Sequence, residues 1–107
     1  MFNFFSVKKS YEDLEGVDFK ARYTGNKNGV LIDVRTPGEF RSGTIKGARN
    51  IDFMSPAFKE QFKYLDKNKE YFLFCRSGNR SGRACEILSK EGFKVYNLED
   101  GIGAWPG

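Results

Sequence analysis

Tyr71-Phe72-Leu73-Phe74-Cys75-Arg76-Ser77-Gly78-Asn79-Arg80-Ser81-Gly82-Arg83 places a cysteine at the end of a short apolar run. A polar turn with one glycine and two arginines follows, and then a segment that reads as helix. A cysteine there sits where a buried strand opens into a helix N-terminus. The unpaired backbone N–H groups at that end favour an anion. They also lower the pKa of a thiol held at their focus, so that it is a thiolate near neutral pH. Arg76 and Arg80 add fixed positive charge. Such a loop is a cradle for a nucleophilic sulfur and a small anionic substrate, with Cys75 as nucleophile. Arg76, Ser77, Gly78, Asn79, Arg80 and Ser81 are the candidate substrate-binding residues. The competing reading is an ordinary buried thiol at a strand end, common for free cysteine. The flanking arginines and the glycine turn favour chemistry.

The rest of the composition narrows that chemistry. The chain has no histidine, which removes Ser-His-Asp and Cys-His catalysis and any zinc site that uses histidine. Two cysteines do not close a metal site, and neither metal nor cofactor is expected. A nucleophilic cysteine here is activated by dipoles and arginines, without a general base. Cys85 falls within the following helix beside Ala84, Ile87 and Leu88. It reads as a small core residue, with a resolving thiol as the sharper option.

With 107 residues the chain is one domain, and eleven Phe and one Trp supply much of its core. The net charge of +4 comes from scattered basic residues, which does not suit nucleic acid. No apolar run approaches the roughly 20 residues that span a membrane. Met1-Phe2-Asn3-Phe4-Phe5 is apolar but short, and its basic residues follow it, so it reads as a first strand or arm (1–9) rather than a signal peptide. Two cysteines do not make a disulfide scaffold, and a reducing, cytoplasmic setting is the default. A monomer is expected.

The elements that must position the loop alternate between strand and helix. Ser10-Tyr11-Glu12-Asp13 fits a capping box opening a helix toward Arg22. The stretch 24–29 is a loop. Val30-Leu31-Ile32-Asp33-Val34 has the continuous apolar pattern of a strand buried on both faces. Thr36-Pro37-Gly38-Glu39 supplies a cap, a proline at N1 and an acid at N3 for a short helix. A turn covers 43–47, Asn50-Ile51-Asp52-Phe53 is a short strand, and Ser55-Pro56 caps a helix to about Tyr64. The strand 71–74 leads into Cys75, and the helix after it ends near Glu91, with Gly92 at C′. Lys94-Val95-Tyr96-Asn97-Leu98 is the last strand, and 101–105 is a helical turn anchored by Trp105. This order argues for an α/β domain with a mainly parallel central sheet and helices on both faces. In such folds ligands bind beyond the carboxyl ends of the strands, where Cys75 lies.

Four segments, in order, resemble the rhodanese family of sulfurtransferases. Leu31-Ile32-Asp33-Val34-Arg35-Thr36-Pro37-Gly38-Glu39-Phe40 resembles its aspartate–valine–arginine segment. Gly43-Thr44-Ile45-Lys46-Gly47-Ala48-Arg49-Asn50-Ile51 resembles its glycine–histidine–isoleucine turn, with Thr44 where histidine is usual; a threonine there can cap or bond backbone. Cys75-Arg76-Ser77-Gly78-Asn79-Arg80-Ser81 resembles the active-site loop. Asp100-Gly101-Ile102-Gly103-Ala104-Trp105 resembles the closing segment, with Ile102 where a second glycine is usual. The resemblance covers about Val30 to Trp105. It implies a single rhodanese-like domain, 1–107, that carries sulfur as a Cys75 persulfide. The implied partners are a small anionic donor such as thiosulfate and an acceptor that is cyanide, a thiol or a protein thiol. A cysteine phosphatase or arsenate reductase-like enzyme is the rival; its pattern has five residues between cysteine and arginine, whereas four separate Cys75 from Arg80. A non-catalytic rhodanese-like binding module is the third reading. Asp33 and Arg35 read as stabilising the fold near the site. Lys46, Arg49 and Arg83 read as surface charge, and Glu99 and Asp100 as a solvated turn.

Overall fold

The computed structural model describes residues 10–107, and the expected arm at 1–9 lies outside them. Five strands form one sheet: β1 Glu12–Leu14, β2 Gly29–Asp33, β3 Arg49–Asn50, β4 Glu70–Phe74 and β5 Lys94–Leu98. Their order is β1-β5-β4-β2-β3, and every pairing is parallel. Four α-helices connect them: α1 Gly16–Thr24, α2 Pro37–Ser42, α3 Phe58–Lys63 and α4 Asn79–Lys90. A 3-10 helix, Ile102–Ala104, ends the fold. No helix among the described residues is long and apolar enough to cross a membrane.

The central strand explains the layers. Along β4 the side chains alternate between faces. Tyr71, Leu73 and Cys75 join a core with Phe58, Phe62, Ala84, Cys85, Leu88 and Phe93, so α3 and α4 cover that face. Phe72 and Phe74 join the opposite core with Leu14, Phe19, Ile45 and Leu98, where α1 and the 3-10 helix pack. Trp105 stands edge-on to Phe19, with ring centroids 6.2 Å apart, and so anchors the tail.

Three elements differ from their sequence reading. Residues 10–13 do not open a helix. Glu12–Leu14 instead pairs with Tyr96–Leu98, and α1 starts at Gly16 with Glu15 at its N-cap. The pairing partner is more than eighty positions away, and no local capping pattern reports it. Gly16 lies where an added Cβ would fall 1.9 Å from the Ala104 carbonyl oxygen, so the helix start is pressed against the tail. The third strand is Arg49–Asn50 alone, although Ile51 and Phe53 still donate to the carbonyls of Asp33 and Val34. Ser55-Pro56 folds as a separate turn in which Ala57 N–H donates to Ser55 Oγ, and α3 begins later, at Phe58. The box at Thr36 and Glu39 forms as read from the sequence, and Gly92 follows α4 with φ 93°.

Connections from β2 run outward to β3, and those from β4 run outward to β5 on the other side. The carboxyl ends of β2 and β4 are therefore the topological switch point, the usual ligand crevice of an open parallel sheet. The segment after β4 begins with Cys75.

Candidate active site

Cys75 leaves β4 with its side chain on the α4 face and is fully buried. The chain then turns over the sulfur, and α4 starts at Asn79 with Gly78 as a left-handed N-cap, φ 93°. This wraps the first donors of α4 around Sγ. Gly78 N–H donates to it at 3.1 Å, Ser81 N–H at 3.4 Å and Ser81 Oγ at 3.3 Å. Burial pushes the thiol pKa up. The Ser81 hydroxyl and the backbone N–H groups of Ser81, Ser77 and Gly78 pull it down, and the net direction is down. For Cys85, burial, with the nearby charges of Asp13 and Cys75 adding to it, pushes the thiol well above the ordinary range. The two buried thiols thus differ in environment: Cys75 is held toward its ionised form and Cys85 toward its protonated form.

Two glycines set the loop's height above the sheet. A Cβ on Gly78 would fall 1.9 Å from the Glu99 carbonyl oxygen, and one on Gly101 1.9 Å from that of Arg76. Both have positive φ. The close approach lets Ile102 N–H donate to the Cys75 carbonyl at 2.8 Å. Ile102 therefore works through its backbone, which is why the missing second glycine does not disturb the closure.

The loop side chains separate into three groups. Ser81 is fully buried and aims at sulfur rather than at solvent. Arg76, Ser77 and Asn79 are exposed and form a rim. Arg80, expected to stand free for a substrate, is turned onto Glu39. Its two terminal nitrogens bond both carboxylate oxygens, at 2.7 and 3.0 Å. The reason is local: a cation at the start of a helix opposes the helix dipole, and a nearby carboxylate compensates it. Glu39 is in turn held by the N–H and hydroxyl of Thr36. The pair spans the crevice from α2 to α4. Sequence reading placed Glu39 only in its capping box and missed this second role. An arginine without an obvious partner in the loop was the signal.

Beneath the crevice, Arg35 and Asp33 form a buried ion pair at 2.8 Å, and Arg35 also donates to the Gly43 carbonyl. Thr44 Oγ donates to Asp33 Oδ2 at 2.8 Å. The threonine thus bonds a carboxylate, not backbone as the sequence suggested, and it ties the 43–47 turn to β2. Lys46, Arg49, Arg83, Glu99 and Asp100 are all exposed.

The Glu39–Arg80 pair has a pH signature. Hydrogen bonds from Arg80 and from Thr36 lower the Glu39 pKa to about 2. An unfolded glutamate titrates near 4.3. A depressed folded pKa contributes stability that is complete above the unfolded value and is lost as pH falls toward about 2. Glu39→Gln keeps the acceptor for Thr36 and removes the charge. At pH 7 it is expected to lower stability by about 1 kcal/mol, the scale of a half-exposed pair. Urea midpoints of the two proteins should converge as pH drops below about 4. A gap that stays constant with pH would mean that the charge contributes nothing.

Known proteins resemble this chain along most of its length. The pattern of the rhodanese-like domain matches residues 17–107. Over 96 residues the chain is 36% identical to YtwF of Bacillus subtilis (strain 168), covering 90% of this chain and 91% of that one. It is 30% identical over 94 residues to a sulfurtransferase of Allochromatium vinosum (strain ATCC 17899 / DSM 180 / NBRC 103801 / NCIMB 10441 / D), covering 87% and 86% of the two chains. Among solved structures, a rhodanese-related protein from Thermoplasma volcanium superposes with a TM-score of 0.77 at 33% identity, over 89% of this chain and 90% of that one. With a parallel sheet in this order, a cysteine under a ring of amides at its switch point and matches that span both partners, the chain belongs to the rhodanese-like domain family.

Proposed function

We propose that this protein is a sulfurtransferase that moves a sulfane sulfur from a thiosulfate-like donor through a Cys75 persulfide to cyanide or a thiol. The observation that carries this reading is the Sγ of Cys75 accepting from Gly78 N–H, Ser81 N–H and Ser81 Oγ. Three donors around a buried sulfur favour its anionic form. The same donors suit the terminal sulfur of a persulfide.

In the first step the Cys75 thiolate attacks the outer sulfur of thiosulfate. The new S–S bond forms as the old one breaks, and sulfite leaves with the electron pair. In the second, the acceptor attacks the outer persulfide sulfur and the Cys75 thiolate leaves. Neither leaving group needs a proton, which fits a chain without histidine. Sγ is covered in the resting protein, so a donor reaches it when the exposed side chains of Arg76, Ser77 and Asn79 move aside. Exposed Arg76, which makes no ion pair with a described residue, is the cation on that rim to meet a dianion; Arg80 contributes its field while held by Glu39. A phosphatase needs a further acid to protonate a leaving alkoxide. Glu39 is engaged with Arg80 and held ionised, so it does not supply one.

The test compares thiosulfate–cyanide sulfur transfer with hydrolysis of an aryl phosphate at matched concentrations, with the intact mass measured after thiosulfate alone. Sulfur transfer, a mass gain of one sulfur atom and negligible phosphate release are expected. Phosphate release without sulfur transfer would overturn the reading in favour of a phosphatase. Neither activity would leave a binding module.

A further inference from the structure

Asn97 is a polar side chain in an apolar strand. Its neighbours Val95, Tyr96 and Leu98 are core residues, and it is itself 3% exposed. Its Nδ2 donates to Asp13 Oδ1 at 2.8 Å and to the Gly78 carbonyl at 3.3 Å. Its Oδ1 is buried with no hydrogen-bond partner among the described residues. A buried orphan acceptor is a standing cost to folding that an apolar side chain of the same size would not carry. What the amide adds over an apolar side chain is two donor bonds, one to Asp13 and one to the carbonyl of the sulfur loop.

Gly78 receives that bond at its carbonyl, which also accepts the first α4 bond from Gly82 N–H at 3.0 Å. The same residue donates its N–H to Cys75 Sγ. From the facts that Gly78 is left-handed and lies against Glu99, we infer that Asn97, anchored on β1 by Asp13, is a positioning residue for the sulfur cradle: it locks Gly78 so that its N–H stays on Cys75 Sγ. Asp13 and Asn97 face each other in the β1–β5 register, so the edge strand is part of this device. Without it the amide would have one partner and two orientations.

The inference rests on Cys75 being the sulfur carrier, but its test does not need a sulfur donor. Iodoacetamide alkylation is followed against pH and read at the Cys75 peptide by mass spectrometry. The charged and titratable groups around the two thiols are Arg76, Arg80, Cys85 and, beside Cys85, Asp13, and Asn97→Leu leaves all of them in place. The wild-type transition is expected below the value of about 8.5 of an unperturbed thiol. Asn97→Leu removes the donor and the orphan oxygen together. It should remain folded, yet its alkylation transition should rise by at least about half a pH unit, a threefold loss of thiolate. Asn97→Asp, which sets a carboxylate against Asp13 and the Gly78 carbonyl, should shift it further. A folded Asn97→Leu with an unmoved transition would overturn the inference, because a core role alone moves the melting temperature and not the thiol. If Asn97→Leu does not fold, Asn97→Ala, which removes the donor without changing any charge, decides: an upward shift supports the positioning role and an unmoved transition refutes it. A wild-type transition at or above about 8.5 would instead count against the proposed sulfur chemistry itself.

Discussion

Cys75→Ser is expected to fold as the parent does and to lose sulfur transfer by a factor on the order of 10³ or more. The fold survives because the hydroxyl is smaller than the thiol and meets the same three donors at the end of β4. The chemistry does not survive, because an alcohol is deprotonated far less readily than a thiol. The loop offers hydrogen bonds and charge but no base, and the chain holds no histidine to act as one. Cys85 does not substitute: it is fully buried and its thiol is pushed well above the ordinary range. The measurement is the intact mass after thiosulfate, the rate with cyanide and a melting curve. Sulfur gained at Cys85, or turnover retained in the variant, would remove Cys75 from the mechanism.

Gly78→Ala is expected to lower stability by more than about 3 kcal/mol and to abolish the acidity of Cys75 with it. Two separate costs coincide at this residue. A left-handed backbone costs an L-residue about 1–2 kcal/mol. The new methyl carbon would also stand 1.9 Å from the Glu99 carbonyl oxygen and 2.7 Å from its carbon, which are backbone atoms of the turn after β5 and cannot swing aside. Relief requires the loop to lift, which takes the Gly78 N–H away from Sγ. Gly38→Ala is the control. It lies in α2 with nothing within 4 Å of an added Cβ, and alanine there should be neutral or stabilising by up to about 1 kcal/mol. Urea midpoints of the two variants separate the cases, and equal midpoints would show that the loop is not held against Glu99.

Local patterns were legible where the physics is local. The apolar run before Cys75, the box at Thr36 and Glu39, the glycine after α4 and the apolar strand 30–34 each act within a few residues, and all appear in the fold. Where partners are distant, the sequence misled. Residues 10–13 read as a capping box because the rule sees four residues, but the backbone of 12–14 pairs with β5, more than eighty positions away. Asn97 gave no signal within its strand, since its meaning lies in Asp13 and Gly78.

The sequence by itself determined the class of fold and the family and singled out Cys75 as the candidate nucleophile, because a strand, a cysteine and a glycine turn are contiguous and the other three segments follow the same order. It also excluded histidine-based chemistry by composition. The tertiary structure alone decided what the loop residues do. Arg80 crosses to Glu39, Ser81 turns inward to sulfur, and Gly78 and Gly101 press on carbonyls from another segment. The physical reason is that charge pairing, burial and backbone contact depend on distance in space. Segments from residues 31–51, 75–81 and 97–102, separated along the chain by many residues, meet at the carboxyl ends of the strands, and only there does each side chain acquire the partner that sets its role.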